Sequence, residues 1–406
     1  MRKKTESALP VVVIGAGMAG ARLAARVPGA TVVGEERHAP YNRVLLADVL
    51  AGRYAPDVIA LPATEVRRGV RAVRIDRADR LVHCDDGSVL HYGRLVLATG
   101  SNPVLPPLRG VGDTLPDGVH PFRTLDDALA LRAAVRPGVR AVVIGGGLLG
   151  VSAARALAEC GAQVVLAQQG EHLMERQLDP EAAALLRVHL EALGVEVHTE
   201  CRVRGLRCTA ATTTESVRAV ELADGYELAA DLTVLACGVR PRTGLALAAG
   251  LDVRKGIVVD DELRTSDPYI HALGDCAEHR STLYGLAGPA LEQADVLAEV
   301  LAGRPARYEG TRALTRLTLR SPGPREALDL AAFGEARPLP GDDVIRLADA
   351  TRGAYRTVVV REGRLAGGVL LGDLGAVAGL ARTWQDDEPL PPAMSLLHLL
   401  IDDGGH

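Results

Sequence analysis

Apolar positions along the chain come in short β-branched runs that stop at glycine and give way to alanine-rich stretches. Residues 11–20 read VVVIGAGMAG and residues 142–150 read VVIGGGLLG. Each run predicts a strand, then a helix (21–27 and 151–160), then a second short strand (30–34 and 163–168). Further buried strands are expected within 95–103 (LVLATGSNP), 232–243 (LTVLACGVRPRT) and 270–275 (IHALGD), the first two passing through an A-x-G turn. Residues 66–92 and 195–230 read as hairpins turning at Asp86-Gly87 and Asp224-Gly225. A helix beginning near Pro289 should stop at Gly303, with Pro305 just beyond. From Arg307 onward the pattern predicts strands at 313–320, 328–333, 343–348, 355–361 and 364–371, then a helix around 373–384 and a proline-rich 389–392.

The repeated unit is strand, G-x-G-x-x-G, helix, strand, the context in which that glycine spacing means dinucleotide binding. The first glycine permits the tight turn, the second lets backbone approach a pyrophosphate, and the third lets helix pack close to strand. Amides at the helix N-terminus then face the phosphates. The two copies differ at the end of the second strand. The first has Glu35 and Glu36, about 20 residues past Gly15, where a carboxylate accepts hydrogen bonds from a ribose hydroxyl. The second has Gln168 and Gln169, which lack the charge that favours NAD over NADP, and no arginine follows immediately to hold a 2′-phosphate.

Composition narrows the class. A chain of 406 residues, 48% hydrophobic and 24% charged, is long enough for two or three ordered domains. Only 3% aromatic residues and a net charge of −5 argue against nucleic acid as a partner. No apolar run reaches the length of a membrane span. Arg2-Lys3-Lys4 before an apolar stretch looks like a signal peptide, but the glycines and Arg22 that follow make a strand-to-helix turn the better account. Six cysteines without C-x-x-C spacing (Cys84, Cys160, Cys201, Cys208, Cys237, Cys276) indicate neither zinc ribbon nor disulfide framework, and suggest reduced thiols in a cytoplasmic protein.

The order of motifs resembles the FAD-dependent pyridine nucleotide-disulfide oxidoreductases. The nearest pattern is the FAD/NAD module of the NAD(P)H nitrite reductase large subunit, with rubredoxin and ferredoxin reductases beside it. Tyr41–Leu46 (YNRVLL), Gly145–Gly150 (GGGLLG), His172–Asp179 (HLMERQLD), Gly274–Glu278 (GDCAE), Tyr284–Leu286 and residues 352–373 carry the likeness. It implies an α/β chain of two Rossmann-like dinucleotide-binding domains plus a smaller α+β C-terminal domain. Residues 1–120 with 245–306 would bind FAD, 121–244 would bind NADH or NADPH, and 307–406 would form an interface domain. That last region would make a homodimer contact or dock the electron carrier.

The resemblance also implies site residues. Gly15, Ala16, Gly17, Met18, Ala19 and Gly20 would form the FAD phosphate turn, and Glu35 with Glu36 would take the adenosine ribose. Arg43 and the Ala98-Thr99-Gly100 turn would contact the flavin nucleotide, and Ala72 the adenine by its backbone. Asp275 would meet the ribityl chain or a diphosphate water, and the helix start near Pro289–Leu291 would aim its amides at the flavin N1–C2=O edge, where reduction places negative charge. In the second unit Gly145, Gly147, Leu148, Leu149, Gly150, Gln168 and Gly238 would hold the nicotinamide dinucleotide. No catalytic side chain and no metal are expected.

Several positions depart from the family. Ser152 stands where a glutamate is usual, Gln168 where an acidic ribose residue is usual, and Ala47-Asp48 where serine and lysine follow. The C-x-x-x-x-C of disulfide reductases and the single reactive cysteine near Leu46 are both missing, and those reactions need a thiolate to relay electrons. The implied activity is therefore hydride transfer from NAD(P)H to flavin N5, then single electrons to a separate ferredoxin, rubredoxin, or nitrate or nitrite reductase component. No iron–sulfur or siroheme domain is expected before His406. Two rival readings are a flavin-binding sensor whose nicotinamide site has degenerated, and an NAD(P)H oxidase. Arg240 and Arg242 either hold a nicotinamide-nucleotide phosphate or lie in a solvated loop, and Arg123-Thr124 is a candidate for FAD contact or a hinge. His279 reads as a packing or surface residue more than a proton gate, and 352–364 as a solvated hairpin face.

Overall fold

A computed structural model of the chain describes residues 10–62, 65–112, 114–209, 215–320, 327–349, 353–391 and 396–400. It divides into two compact units: Met1–Leu46 with Tyr54–Asn102 and Val239–Thr311, and Ala47–Arg53 with Pro103–Gly238 and Arg312–His406.

The first unit is built on a five-stranded sheet in the order Ile270–Ala272, Arg94–Leu97, Val11–Ile14, Thr31–Gly34, Val66–Arg68. All neighbours pair in parallel. Val11–Ile14 and residues 95–97 read as unbroken apolar runs because both faces of the sheet are covered there. Val13, Leu95, Val96 and Leu97 are fully buried. Helix Met18–Arg26 lies against helix Ala287–Leu301, and Arg22 and Arg26 reach across to Asp295. The chain runs outward in both directions from Val11–Ile14, which leaves a crevice at the carboxyl ends of the strands beside it, the usual place for a ligand in such a sheet.

The second unit repeats the scheme: Val195–His198, Gln163–Ala167, Arg140–Ile144, Leu232–Leu235, Val119–Pro121, again all parallel. Helices Leu148–Glu159 and Pro180–Ala192 pack on it. The same unit carries an antiparallel sheet in the order Leu314–Leu319, Leu328–Gly334, Arg364–Leu371, Ala354–Arg361, Asp343–Asp349, with helix Val377–Gln385 on it. Trp384 of that helix meets Phe333 with ring centroids 5.3 Å apart.

Three expectations need correcting. The 66–92 hairpin is only its second part, Ala72–His91; Val66–Arg68 is a parallel edge strand beside Thr31–Gly34. Likewise Val195–His198 joins the parallel sheet, while the antiparallel pairing starts at Val203, with residues 210–214 outside the described segments. Strands of three or four residues have too little periodicity to reveal partners distant in sequence. Finally, 352–364 is not a solvated face: strand Ala354–Arg361 is buried over six consecutive residues, with Arg352 outside the described segments. Pro392 of the proline-rich tract also lies outside them.

Candidate dinucleotide sites

The first glycine turn joins Val11–Ile14 to helix Met18–Arg26. Gly15 has φ +110°, and a Cβ there would strike the Ala98 carbonyl. A Cβ on Gly20 would strike the Gly15 carbonyl. Gly17 differs: it caps the helix in extended backbone with no side-chain cap, and a Cβ on it would meet nothing within 4 Å. Two glycines are thus required by the protein's own packing, and the third opens a cradle beside uncapped helical amides. Ala16 packs beneath Gly34, Met18 is half-buried and Ala19 is buried.

Other elements converge on this turn. The Ala98 amide donates to Ile14 O at 2.8 Å, and Gly100 turns with φ +70°. A Cβ at Gly274 would lie 3.3 Å from Ala19 Cβ and 3.9 Å from Ala290 Cβ. Helix Met18–Arg26, the Gly-Asp turn and the start of helix Ala287–Leu301 therefore meet, with half-buried Leu291 next to Ala290. Asp275 accepts a hydrogen bond from Ser101 Oγ at 2.9 Å. Helix Ala287–Leu301 begins without a side-chain cap. Gln293, 1% exposed, accepts the Gly274 amide at 2.7 Å and locks the turn to the helix. Gln293 was not foreseen, although a polar residue on the buried stripe of an apolar helix is a readable signal.

At the other end of the crevice, Glu36 accepts from Tyr41 Oη at 2.6 Å and Arg43 Nη2 at 2.7 Å. Arg43 also stacks over Tyr41, 5.1 Å from the ring centroid. Glu35 is more exposed and pairs with Arg242, with Arg71 at 4.0 Å. Arg71 is followed by half-buried Ala72, opposite Cys84 in the antiparallel ladder. Arg242 thus lies beside Glu35 in the first unit; its amide donates to Gly100 O and its carbonyl accepts from Thr99 Oγ1. Arg240 is exposed. His279 is fully buried, bonded to Asp261 at 3.0 Å and packed on Tyr308. Hydrogen bonds from Arg280 and His279 hold the Asp261 carboxyl down at about 2.

The second turn copies the first. Gly145 has φ +109° and abuts the Ala236 carbonyl, Gly150 abuts the Gly145 carbonyl, and Gly147 again has nothing within 4 Å. Leu148 and Leu149 open helix Leu148–Glu159 half-buried, and Gly238 closes the neighbouring strand at φ +98°, also facing open space. Gln168 Oε1 accepts the Gly146 amide at 2.8 Å, so its oxygen braces the turn. Ser152 Oγ donates to Leu148 O of its own helix at 2.8 Å. Asp48 is held at 3.1 Å by Arg155, a buried arginine that also pairs with Glu159. Thr124 and Asp127 form a capping box on helix Leu125–Ala134, which gives Arg123-Thr124 a structural part.

None of the six thiols is poised to ionise. Burial pushes Cys237 up to about 11 and raises each of the other five. Cys276 is fully buried, its thiol turned to the Leu97 and Leu273 carbonyls.

Two parallel sheets, each closed by the same sterically determined glycine turn, define the two-dinucleotide-binding flavoprotein reductase fold. The chain belongs to the pyridine nucleotide-disulphide oxidoreductase family, whose pattern matches residues 9–294. It is 37% identical over 374 residues to the nitrite reductase [NAD(P)H] large subunit of Klebsiella oxytoca, covering 88% of this chain and 37% of that one. It is 34% identical over 321 residues to putidaredoxin reductase of Pseudomonas putida, covering 74% and 75%. Among solved structures, the putidaredoxin reductase–putidaredoxin covalent complex superposes with a TM-score of 0.84 at 27% identity, covering 95% of both chains. The chain spans less than half the length of the nitrite reductase it matches.

Proposed function

We propose that the protein is an FAD-dependent NAD(P)H oxidoreductase that hands electrons to a separate electron-transfer protein of the ferredoxin or rubredoxin kind, or to a nitrate or nitrite reductase component. The observation that carries this is the duplicated cradle: Gly17 and Gly147 face open space while their flanking glycines are locked by packing. FAD is assigned to residues 1–120 with 245–306, and NADH or NADPH to 121–244. When bound, FAD supplies the conversion of a two-electron hydride donor into a one-electron donor. The chain's own groups hold and orient. Amides after Gly17 take the pyrophosphate, Glu35 takes the adenosine ribose with Glu36 held behind it by Tyr41 and Arg43, and Ala72 offers its backbone to the adenine. Asp275, fixed by Ser101, faces the ribityl side. The uncapped start of helix Ala287–Leu301 favours negative charge at the flavin's N1–C2=O edge. Buried, protonated thiols support direct departure of electrons to an outside acceptor.

The test is anaerobic mixing of the purified yellow protein with NADH or NADPH. Rapid bleaching, followed by reoxidation when a carrier protein is added, is expected. A colourless protein that releases no flavin on mild denaturation would end this reading. A second reading, a flavin-binding sensor, is favoured by Ser152, whose Oγ donates to the Leu148 carbonyl, and Gln168, whose Oε1 accepts the Gly146 amide. A flavin that stays unbleached at high coenzyme concentration would support it instead.

A further inference from the structure

We infer that the C-terminal sheet is a positioning device for the second phosphate turn, acting through Tyr355 and the segment His172–Glu181. This deepens the nicotinamide-nucleotide assignment of Gly145–Gly150 and rests on it.

The connection is continuous. The Met174 amide donates to the Gly146 carbonyl at 2.9 Å, in the middle of the glycine turn. Met174 itself is 1% exposed and has φ +50°, a left-handed conformation that an unbranched side chain adopts only under outside constraint. Leu173 packs against Gly146 so closely that a Cβ there would lie 2.6 Å from its Cδ2. Downstream, Asp179 caps helix Pro180–Ala192 with one oxygen, accepting the Ala182 amide at 2.9 Å. Its other oxygen accepts from Tyr355 Oη, also at 2.9 Å. Both residues are buried, at 6% and 1% exposure.

Two more side chains of the C-terminal region hold the same segment. Arg346 pairs with Glu181 at 2.7 Å and Arg337 donates to the Glu175 carbonyl at 3.2 Å. The segment is thus tied to its glycine turn at Met174, held next to that residue by Arg337 at Glu175, and held further along by Tyr355 and Arg346 at Asp179 and Glu181. Burial and the neighbouring Asp179 carboxylate push the Tyr355 hydroxyl well above its usual range, so it stays a donor. Neither Tyr355 nor Asp179 is needed to form a dinucleotide cradle. Their contact nevertheless sets where the chain that touches Gly146 can go.

The test uses the intact flavoprotein and three variants. Tyr355→Phe removes the buried hydrogen bond while keeping the ring. Arg346→Ala removes a partly exposed tie and leaves the core intact. Leu370→Ala creates a buried cavity in the same sheet, on the face opposite Tyr355, in the cluster that holds Val358 and Trp384. In Tyr355→Phe the Met174 amide should exchange with solvent about tenfold faster. KM for the reducing coenzyme should rise about five- to tenfold, with kcat within about twofold and the flavin spectrum unchanged. Arg346→Ala should move both readouts the same way by less, and Leu370→Ala should lower thermal stability without moving either. Unchanged Met174 exchange in Tyr355→Phe, or equal acceleration in Leu370→Ala, would overturn the inference. Faster exchange in Tyr355→Phe, together with a wild-type protein that binds neither NADH nor NADPH, would uphold the mechanical link and remove the coenzyme assignment of the turn.

Discussion

Gly17 and Gly20 sit three residues apart and answer to different constraints. A methyl at Gly20 collides with the Gly15 carbonyl, so Gly20→Ala should destabilise the fold by about 1–3 kcal/mol through overpacking. A methyl at Gly17 collides with no protein atom, and its backbone is extended. Gly17→Ala should therefore stay within about 1 kcal/mol of wild type, the cost of a poorer helix cap. It should lose flavin on desalting all the same, because the methyl fills the space a pyrophosphate needs. Urea unfolding and flavin content of the two variants separate the effects. A Gly17→Ala protein as yellow as wild type would show that this glycine does not face the nucleotide. The spacing assigns the three glycines different parts, and the Ala98 and Gly15 carbonyls supply the packing that enforces the first and third.

Strand Ile270–Ala272 carries the Gly-Asp turn and buries His271 to 2% exposure. Burial pushes this imidazole down to about 4. Since its ordinary value is about 6.5, the unfolded chain binds the proton first on acidification. Stability is therefore unaffected by His271 above that value, and falls as the pH drops from there toward 4, by up to about 1.4 kcal/mol per unit. Chemical denaturation at several pH values should show this slope, and His271→Gln should flatten it; an unchanged slope would assign the acid sensitivity elsewhere. The longer elements were legible in advance. Each strand of the C-terminal sheet falls within a residue or two of its expected bounds, since six to eight alternating or apolar residues carry a clear period. Val66–Arg68 and Val195–His198 were misassigned because short edge strands take their identity from partners far away in sequence.

Taken together, the thiols form a molecule-wide pattern. With Cys237 at about 11 and the other five also raised, near-neutral pH leaves essentially no thiolate. Iodoacetamide treatment of the folded holoprotein near neutral pH should leave NAD(P)H-dependent carrier reduction intact. Loss of activity in step with alkylation of one cysteine would reveal a relay that the burial of these thiols argues against. The amino-acid sequence was sufficient to specify two dinucleotide units, their order, and the lack of paired cysteines, because glycine spacing, strand-to-helix switching and cysteine spacing are local properties of the chain. Long-range packing decided the rest. It turned Gln168 and Ser152 inward onto backbone, gave Arg242 to Glu35 and Gln293 to Gly274, and buried the strand bearing Tyr355. Each of those contacts joins residues that a one-dimensional pattern cannot bring together, or redirects a side chain whose alternatives are close in energy until its neighbours exclude them.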